Sequence, residues 1–226
     1  MMIASRAIIM SEPGDCMTDP IIHIIDDDES LRLALDGLFR SVGLATRLYG
    51  SPAEFMAADR PDAPGCLVLD VRMPRMSGLD FQEQLAGLEI RLPVVLMTGH
   101  GDIPMTVRAM KAGAVDFLSK PFRDQDMLDA VSAAIDRDRA RRASDGQTDA
   151  IRARFAQLTL RERQVMTLVT AGKMNKQVAG TLELSEITVK IHRGSAMRKM
   201  EARTLADLVR MAELLELRPD VLLQAS

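Results

Sequence analysis

The sequence predicts two domains of different class. A doubly wound α/β domain, with a five-stranded parallel sheet in the order 2-1-3-4-5, is followed by an all-α domain of four helices. Three observations predict this. Up to about residue 135, short Val/Ile/Leu-rich runs alternate five times with segments of helical periodicity, the pattern of a parallel sheet covered on both faces. Beyond about residue 150 only helical spacing remains. The charge divides at the same place: residues 1–150 carry 16 Lys+Arg against 24 Asp+Glu, and residues 151–226 carry 13 against 8. An acidic front and a basic rear imply different partners, with nucleic acid the natural one for the rear.

Each element has its own signal. IIHII, from Ile21, is a β-branched run that ends in three aspartates and reads as a strand. From Glu29 to Val42, Leu31, Leu35, Leu38, Phe39 and Val42 recur at helical spacing. ATRLY, residues 45–49, is a short strand, and Ser51 with Pro52 opens the next helix. CLVLD, residues 66–70, is a buried strand, Gly78 to Leu88 a helix and LPVVLM a strand. Ile103 to Lys111 is a helix and AVDFLS the fifth strand. A last helix starts near Asp124 and carries Met127, Leu128, Val131 and Ile135 on one stripe. Five βα units over about 120 residues fit a flavodoxin-like sheet. The expected divisions are an N-terminal extension at 1–19 outside the fold, the α/β domain at 20–135, a charged helical linker at 136–155, the helical domain at 156–216 and a tail at 217–226. Within the linker, the small polar residues up to 149 read as a hinge.

Composition excludes several classes. Aromatic residues are 3% of the 226, with no Trp and one Tyr, which argues against sugar binding and against stacking of single-stranded bases. The two cysteines, Cys16 and Cys66, make no disulfide framework and have no metal spacing; Cys66 reads as a small core residue. No apolar stretch approaches the ~20 residues of a membrane span, and the N-terminal apolar run is too short for a signal peptide. The cytoplasm is the expected compartment.

In a parallel α/β sheet, ligands bind beyond the carboxyl ends of the strands. The first strand ends in Asp26, Asp27 and Asp28, and its neighbour, the third, ends in Asp70. Converging carboxylates repel unless a cation lies between them, and a few hard oxygens suit a hydrated Mg²⁺. The fourth strand ends at Thr98 and the fifth at Ser119-Lys120-Pro121, which adds a hydroxyl and an ammonium. Metal site, cation, hydroxyl and a carboxylate nucleophile describe a phosphoryl pocket. His100, in the Thr98 loop, reads as a surface histidine.

The segments IIDDDESLR, LVLDVRMPRMSGLD, VVLMTGHGD and AMKAGAVDFLSKPF resemble the receiver domain of two-component response regulators, closest to the FixJ-like branch. The resemblance implies that Asp70 is the phosphoacceptor, fed by a sensor histidine kinase. It implies that Asp26, Asp27, Asp70 and the Arg72 backbone carbonyl hold Mg²⁺, and that Thr98 and Lys120 contact the phosphoryl group. Phe117 stands at the family's aromatic switch position.

The basic half reads as four helices. Thr159 caps the first, with Glu162 completing a capping box, and Gly172 stops it. Asn175 caps a short second helix ending near Leu182, Ser185 caps the third, and Thr204 opens the fourth. The short join between second and third has helix-turn-helix length. On the third helix Val189, His192, Ala196 and Met200 would pack inward. Lys190, Ile191, Arg193 and Gly194 lie outward, so Lys190 and Arg193 are expected to read guanine and Ile191 a thymine methyl. Lys173, Lys176, Arg198 and Lys199 are placed as phosphate contacts. LTLRERQV, NKQVAGTLELS and TVKIHR resemble the LuxR-type helix-turn-helix of the same FixJ/NarL group. This implies duplex DNA binding, transcriptional control and dimerisation through the last helix. Some relatives carry a basic residue where Gly194 stands.

The expected function is therefore a transcriptional response regulator: no enzyme beyond its own Mg-dependent phosphotransfer and dephosphorylation, a homodimer once phosphorylated, with RNA polymerase as a further expected contact. An aspartyl-phosphate phosphatase is the competing reading, but it wants an acid two residues after its nucleophile, where this chain has Arg72. A phosphate sink that never binds DNA is opposed by the basic helix-turn-helix.

Overall fold

A computed structural model describes residues 19–99 and 103–218 of the chain, so the N-terminal extension, Cys16, His100 and most of the C-terminal tail lie outside the described residues. The chain divides into two compact units between Arg141 and Arg142.

The first unit alternates β1 (Ile21–Ile25), α1 (Glu29–Ser41), β2 (Ala45–Tyr49), α2 (Pro52–Ala57), β3 (Gly65–Asp70), α3 (Gly78–Gly87), β4 (Val94–Thr98), α4 (Ile103–Lys111) and β5 (Asp116–Ser119). The helix α5 (Asp124–Ala156) follows. The strands are parallel in the order β2-β1-β3-β4-β5, as predicted. Because successive strand residues face opposite sides, the sheet divides its apolar residues between two cores. Ile25, Leu67, Leu69, Val94 and Leu96 pack with Phe55, Phe81, Leu85 and Ala109. Ile22, Ile24, Cys66, Val68, Val95 and Met97 pack with Leu35, Phe39, Met127 and Val131. Register places Ile25 opposite Leu69 and Asp70 opposite Met97, so the strands end together on one edge.

β1 also buries a polar residue. His23, 4% exposed, shares a 3.1 Å hydrogen bond with the Tyr49 hydroxyl and packs edge-on against Phe55. Burial, then the nearby Arg47 and Arg60, lower its pKa from 6.5 to about 4. The folded state thus holds the neutral imidazole, and the unfolded chain takes up the proton first as pH falls. Stability contributed by this residue is complete above pH 6.5 and is lost between about 6.5 and 4, up to about 3 kcal/mol. Urea unfolding at pH 7 and pH 5 checks this, with His23→Gln expected to show the smaller difference between the two.

One expectation is corrected. The stretch up to residue 149 is not a hinge: α5 is helical from Asp124 through Ala156. The segment contains no proline, its lone Gly146 costs only ~1 kcal/mol, and the i,i+3 pairs Arg141–Asp138 and Arg152–Asp149 offset part of that cost. Asp138 is fully buried, and its carboxylate accepts from the Gly65 N–H at 3.1 Å, where β3 begins.

The second unit adds α6 (Leu160–Thr170), α7 (Asn175–Leu182), α8 (Glu186–Lys199) and α9 (Leu205–Leu214). Thr159 and Glu162 form the predicted capping box of α6, and Thr204 with Asp207 forms another on α9. Asn175 is not the cap of α7; it is the first helical residue, and Met174 precedes it with its N–H held by Gln177. Three residues join α7 to α8, and Glu183 makes the turn with φ of 55°. Val165, Leu168, Val178, Leu182 and Val189 close the helix-turn-helix core, and Ile151, Leu158, Met166, Ala196, Met200 and Leu208 close a second.

Candidate functional site

The carboxyl edge of the sheet gathers the predicted acidic cluster. Asp26 follows β1 and is 1% exposed; Asp70 ends β3 and is 4% exposed. Carboxylate oxygens of Asp26, Asp27 and Asp70 lie within 4.8 Å of one another. Lys120, just past β5, spans two of them: its Nζ donates to Asp26 Oδ2 and to Asp70 Oδ1, both at 2.7 Å. The Arg72 N–H donates to the other Asp70 oxygen at 2.8 Å, and the Asp28 N–H to Asp26 Oδ1 at 2.8 Å. Thr98 is fully buried at the end of β4, and its carbonyl accepts from the Lys120 N–H at 2.7 Å, which ties the two loops together. Phe117 is half-buried on β5 and packs against the first core.

The electrostatics follow from this geometry. Burial pushes the Asp70 carboxyl up, the hydrogen bond and charge of Lys120 pull it back, Asp26 adds to the rise, and the net shift is upward. Burial alone would lower Lys120, but its hydrogen bonds to Asp26 and Asp70 reverse that and keep it an ammonium. One cation among converging carboxylates leaves the cluster acidic, with hard oxygen donors suited to a further small cation.

In the second unit, α8 presents one outer stripe. Ile187 is 71% and Ile191 65% exposed, and Lys190, Gly194 and Arg198 are exposed beside them. Lys173 and Lys176 are exposed around the start of α7. Arg193 is half-buried and, with Lys173, Asn175 and Leu205, lines a cleft of about 410 Å³ between the α6–α7 turn and α9.

A family model described as the response regulator receiver domain matches residues 22–132, and one described as bacterial regulatory proteins, luxR family, matches residues 156–212. Nodulation protein W of Bradyrhizobium diazoefficiens is 56% identical over 201 residues, covering 89% of this chain and 88% of that protein. The chain belongs to the FixJ-type response regulators. Transcriptional regulatory protein FixJ of Rhizobium meliloti is 44% identical over 87% of this chain and 96% of that one. Response regulator StyR has a TM-score of 0.75 at 46% identity, over 87% of this chain and 99% of that one. This response regulator is a DNA-binding transcriptional regulator rather than an enzyme of the ordinary kind. Its receiver implies a sensor kinase as partner, and its LuxR-type domain implies DNA. Receiver domains use Mg²⁺ at an acidic pocket, and the aspartate cluster here has the donors for it. Among the described residues no helix is long and apolar enough to cross a membrane.

The receiver brings Asp26, Asp27, Asp70, Thr98 and Lys120 to one edge. The roles of three further residues at this edge, Asp28, Arg32 and Gly78, have no signal in the sequence pattern. Asp28 is the N-cap of α1, its carboxylate accepting from the Ser30 and Leu31 N–H groups, so the third aspartate serves the helix. Arg32 donates to the Asp26 carbonyl. Gly78 starts α3 directly against β3: a Cβ there would lie 2.1 Å from the Asp70 carbonyl oxygen. In the LuxR-type domain Ile187, one turn ahead of Ile191, extends the exposed stripe of α8 beyond the residues expected from the sequence. Lys199 is exposed near the end of α8, and its ammonium lies 2.7 Å from the Glu162 carboxylate.

Proposed function

We propose that Asp70 accepts a phosphoryl group from the phosphohistidine of a sensor kinase. The reading is carried by Lys120, whose ammonium is held 2.7 Å from both Asp26 and Asp70. An Asp70 oxygen forms the new P–O bond as the histidine P–N bond breaks, and the imidazole leaves with the electron pair. Lys120 shifts from the carboxylates to a phosphoryl oxygen, and Thr98 donates its hydroxyl to another. Asp26, Asp27, Asp70 and the Arg72 carbonyl would hold Mg²⁺, which when bound offsets the charge gathering on the phosphoryl oxygens. Inward movement of Thr98 leaves room for Phe117 to turn. Receivers then pair, and two LuxR-type domains reach two half-sites on promoter DNA in the cytoplasm, within reach of RNA polymerase. The domain limits of this reading are 20–135 and 156–216.

The test is phosphorylation of the full chain by acetyl phosphate or phosphoramidate with Mg²⁺. One labile phosphoryl group mapping to Asp70, an apparent mass rising towards a dimer and tighter binding to a two-half-site duplex are expected. A label elsewhere, or none, overturns the assignment.

Lys190 and Ile191 are the proposed base readers, with Lys176 and Arg198 on phosphates. Arg193 belongs with Lys190 only if it swings out of its cleft. Lys190→Ala should cost about 1–3 kcal/mol on a selected duplex and little on random DNA. Arg198→Ala should weaken both alike and flatten the salt slope by about one unit. Binding titrations at several salt concentrations separate the two.

A further inference from the structure

The least solvated anion of the LuxR-type domain is Glu162, whose side chain is 7% exposed. It serves two structures at once. Locally it is the third residue of α6, and its Oε2 accepts from the Thr159 N–H at 2.7 Å, completing the capping box. Across the domain it takes two donors from the recognition helix: Ser195 donates to Oε1 at 2.6 Å and Lys199 to Oε2 at 2.7 Å. Ser195 and Lys199 are four residues apart, so they stand one turn above the other on the same side of α8. That side is separate from the outer stripe of Ile187, Lys190, Ile191, Gly194 and Arg198.

We infer that Glu162 is a positioning residue for base recognition: by clamping Ser195 and Lys199 it fixes the rotation and axial slide of α8, and with them the reach of Lys190 and Ile191. This rests on the DNA reading above. Two anchors a turn apart resist both motions, whereas a single contact leaves the helix free to pivot. The apolar packing under α8, through Val189, Ala196 and Met200, holds the helix down but is a weak brake on rolling. Hydrogen bonds with a directed, poorly solvated carboxylate supply the missing angular constraint. Burial raises the Glu162 pKa, but Lys199, Ser195 and the Thr159 groups more than reverse this and hold it at about 2, so the clamp is charged throughout the working range. The inference also changes the role of Lys199, from a cation reserved for DNA phosphate to one engaged by Glu162 at the edge of α8.

The experiment uses the full chain treated with acetyl phosphate and Mg²⁺. A duplex is first selected from a random-sequence library with the wild type. Affinity for that duplex and for unselected random duplex is then measured at several salt concentrations, well below the melting temperature. Glu162→Gln keeps an acceptor for the Thr159 N–H but loses the charge that holds Lys199. It should lose about tenfold or more on the selected duplex and less than twofold on random duplex. Lys199→Met should behave in the same way, leave the salt slope unchanged, and add nothing further when combined with Glu162→Gln. Loss of fold stability alone would lower both affinities by the same factor, so the ratio between duplexes distinguishes positioning from folding. If Glu162→Gln loses helical content, Ser195→Ala and Lys199→Met carry the same test with the cap intact. An unchanged ratio in these variants overturns the inference, as does a salt slope flattened by about one unit in Lys199→Met. Failure of the wild type to select any duplex overturns the DNA reading itself, and the inference falls with it.

Discussion

Asp70→Asn is expected to abolish phosphoryl incorporation from acetyl phosphate and to leave the full chain bound to a two-half-site duplex about a hundredfold or more weakly than the phosphorylated wild type. The substitution keeps size and shape, and the amide oxygen still accepts from the Arg72 N–H or Lys120. What disappears is the carboxylate nucleophile. Without an acyl phosphate, nothing draws Lys120 and Thr98 away from their resting partners, and the receivers have no cause to pair. The DNA loss comes from bivalency: one tethered half-site raises the effective concentration of the second, and a monomer forfeits that gain. Incorporation is read by intact mass and affinity by fluorescence anisotropy. Full-strength binding by Asp70→Asn would place the gate elsewhere.

Gly78→Ala should cost about 3 kcal/mol of receiver stability and slow phosphorylation as well. The added methyl would meet the Asp70 carbonyl oxygen at 2.1 Å and its carbon at 3.0 Å. Backbone atoms cannot rotate aside as a flexible side chain can, so α3 must lift or the end of β3 must bend. Gly78 also donates its N–H to the Val71 carbonyl at 2.9 Å, in the loop that carries Arg72. Either movement shifts the nucleophile by tenths of an ångström, and reactivity depends steeply on such alignment. Gly37→Ala is the informative contrast. It lies in α1, a Cβ there meets nothing within 4 Å, and it should stabilise the chain by ~1 kcal/mol. Urea denaturation of both variants checks the pair.

Much of this was legible in the sequence because two signals are local and strong. Strand–helix alternation announces a parallel sheet, and parallel topology by itself sends Asp26, Asp70, Thr98 and Lys120 to one edge. Helix starts at Ser51, Thr159, Ser185 and Thr204 were readable because a cap acts within three residues of chain. The failures have the opposite character. Residues 143–149 look like a break because small polar residues favour turns, yet helix α5 continues through them. The Lys199–Glu162 ion pair gives no sequence signal because its two halves are distant in the chain and meet only after folding. Gly78 gives no pattern at all, since its requirement is set by the backbone of another strand. Three consecutive aspartates looked alike, and only the start of α1 reveals that the third completes a helix.

Cys66 lies fully buried between Ile22, Val68 and Met97, and burial there drives its thiol pKa far above the usual range. A thiol reacts as its thiolate, so this sulfur is silent towards oxidants and alkylating reagents as long as the sheet is closed. With Cys16 replaced by serine it becomes the sole thiol in the chain. Its labelling rate then reports how often the centre of the receiver opens to solvent. Comparing that rate with and without acetyl phosphate would show whether the phosphorylated receiver breathes less at its heart, a kinetic reading of the switch that needs neither kinase nor DNA.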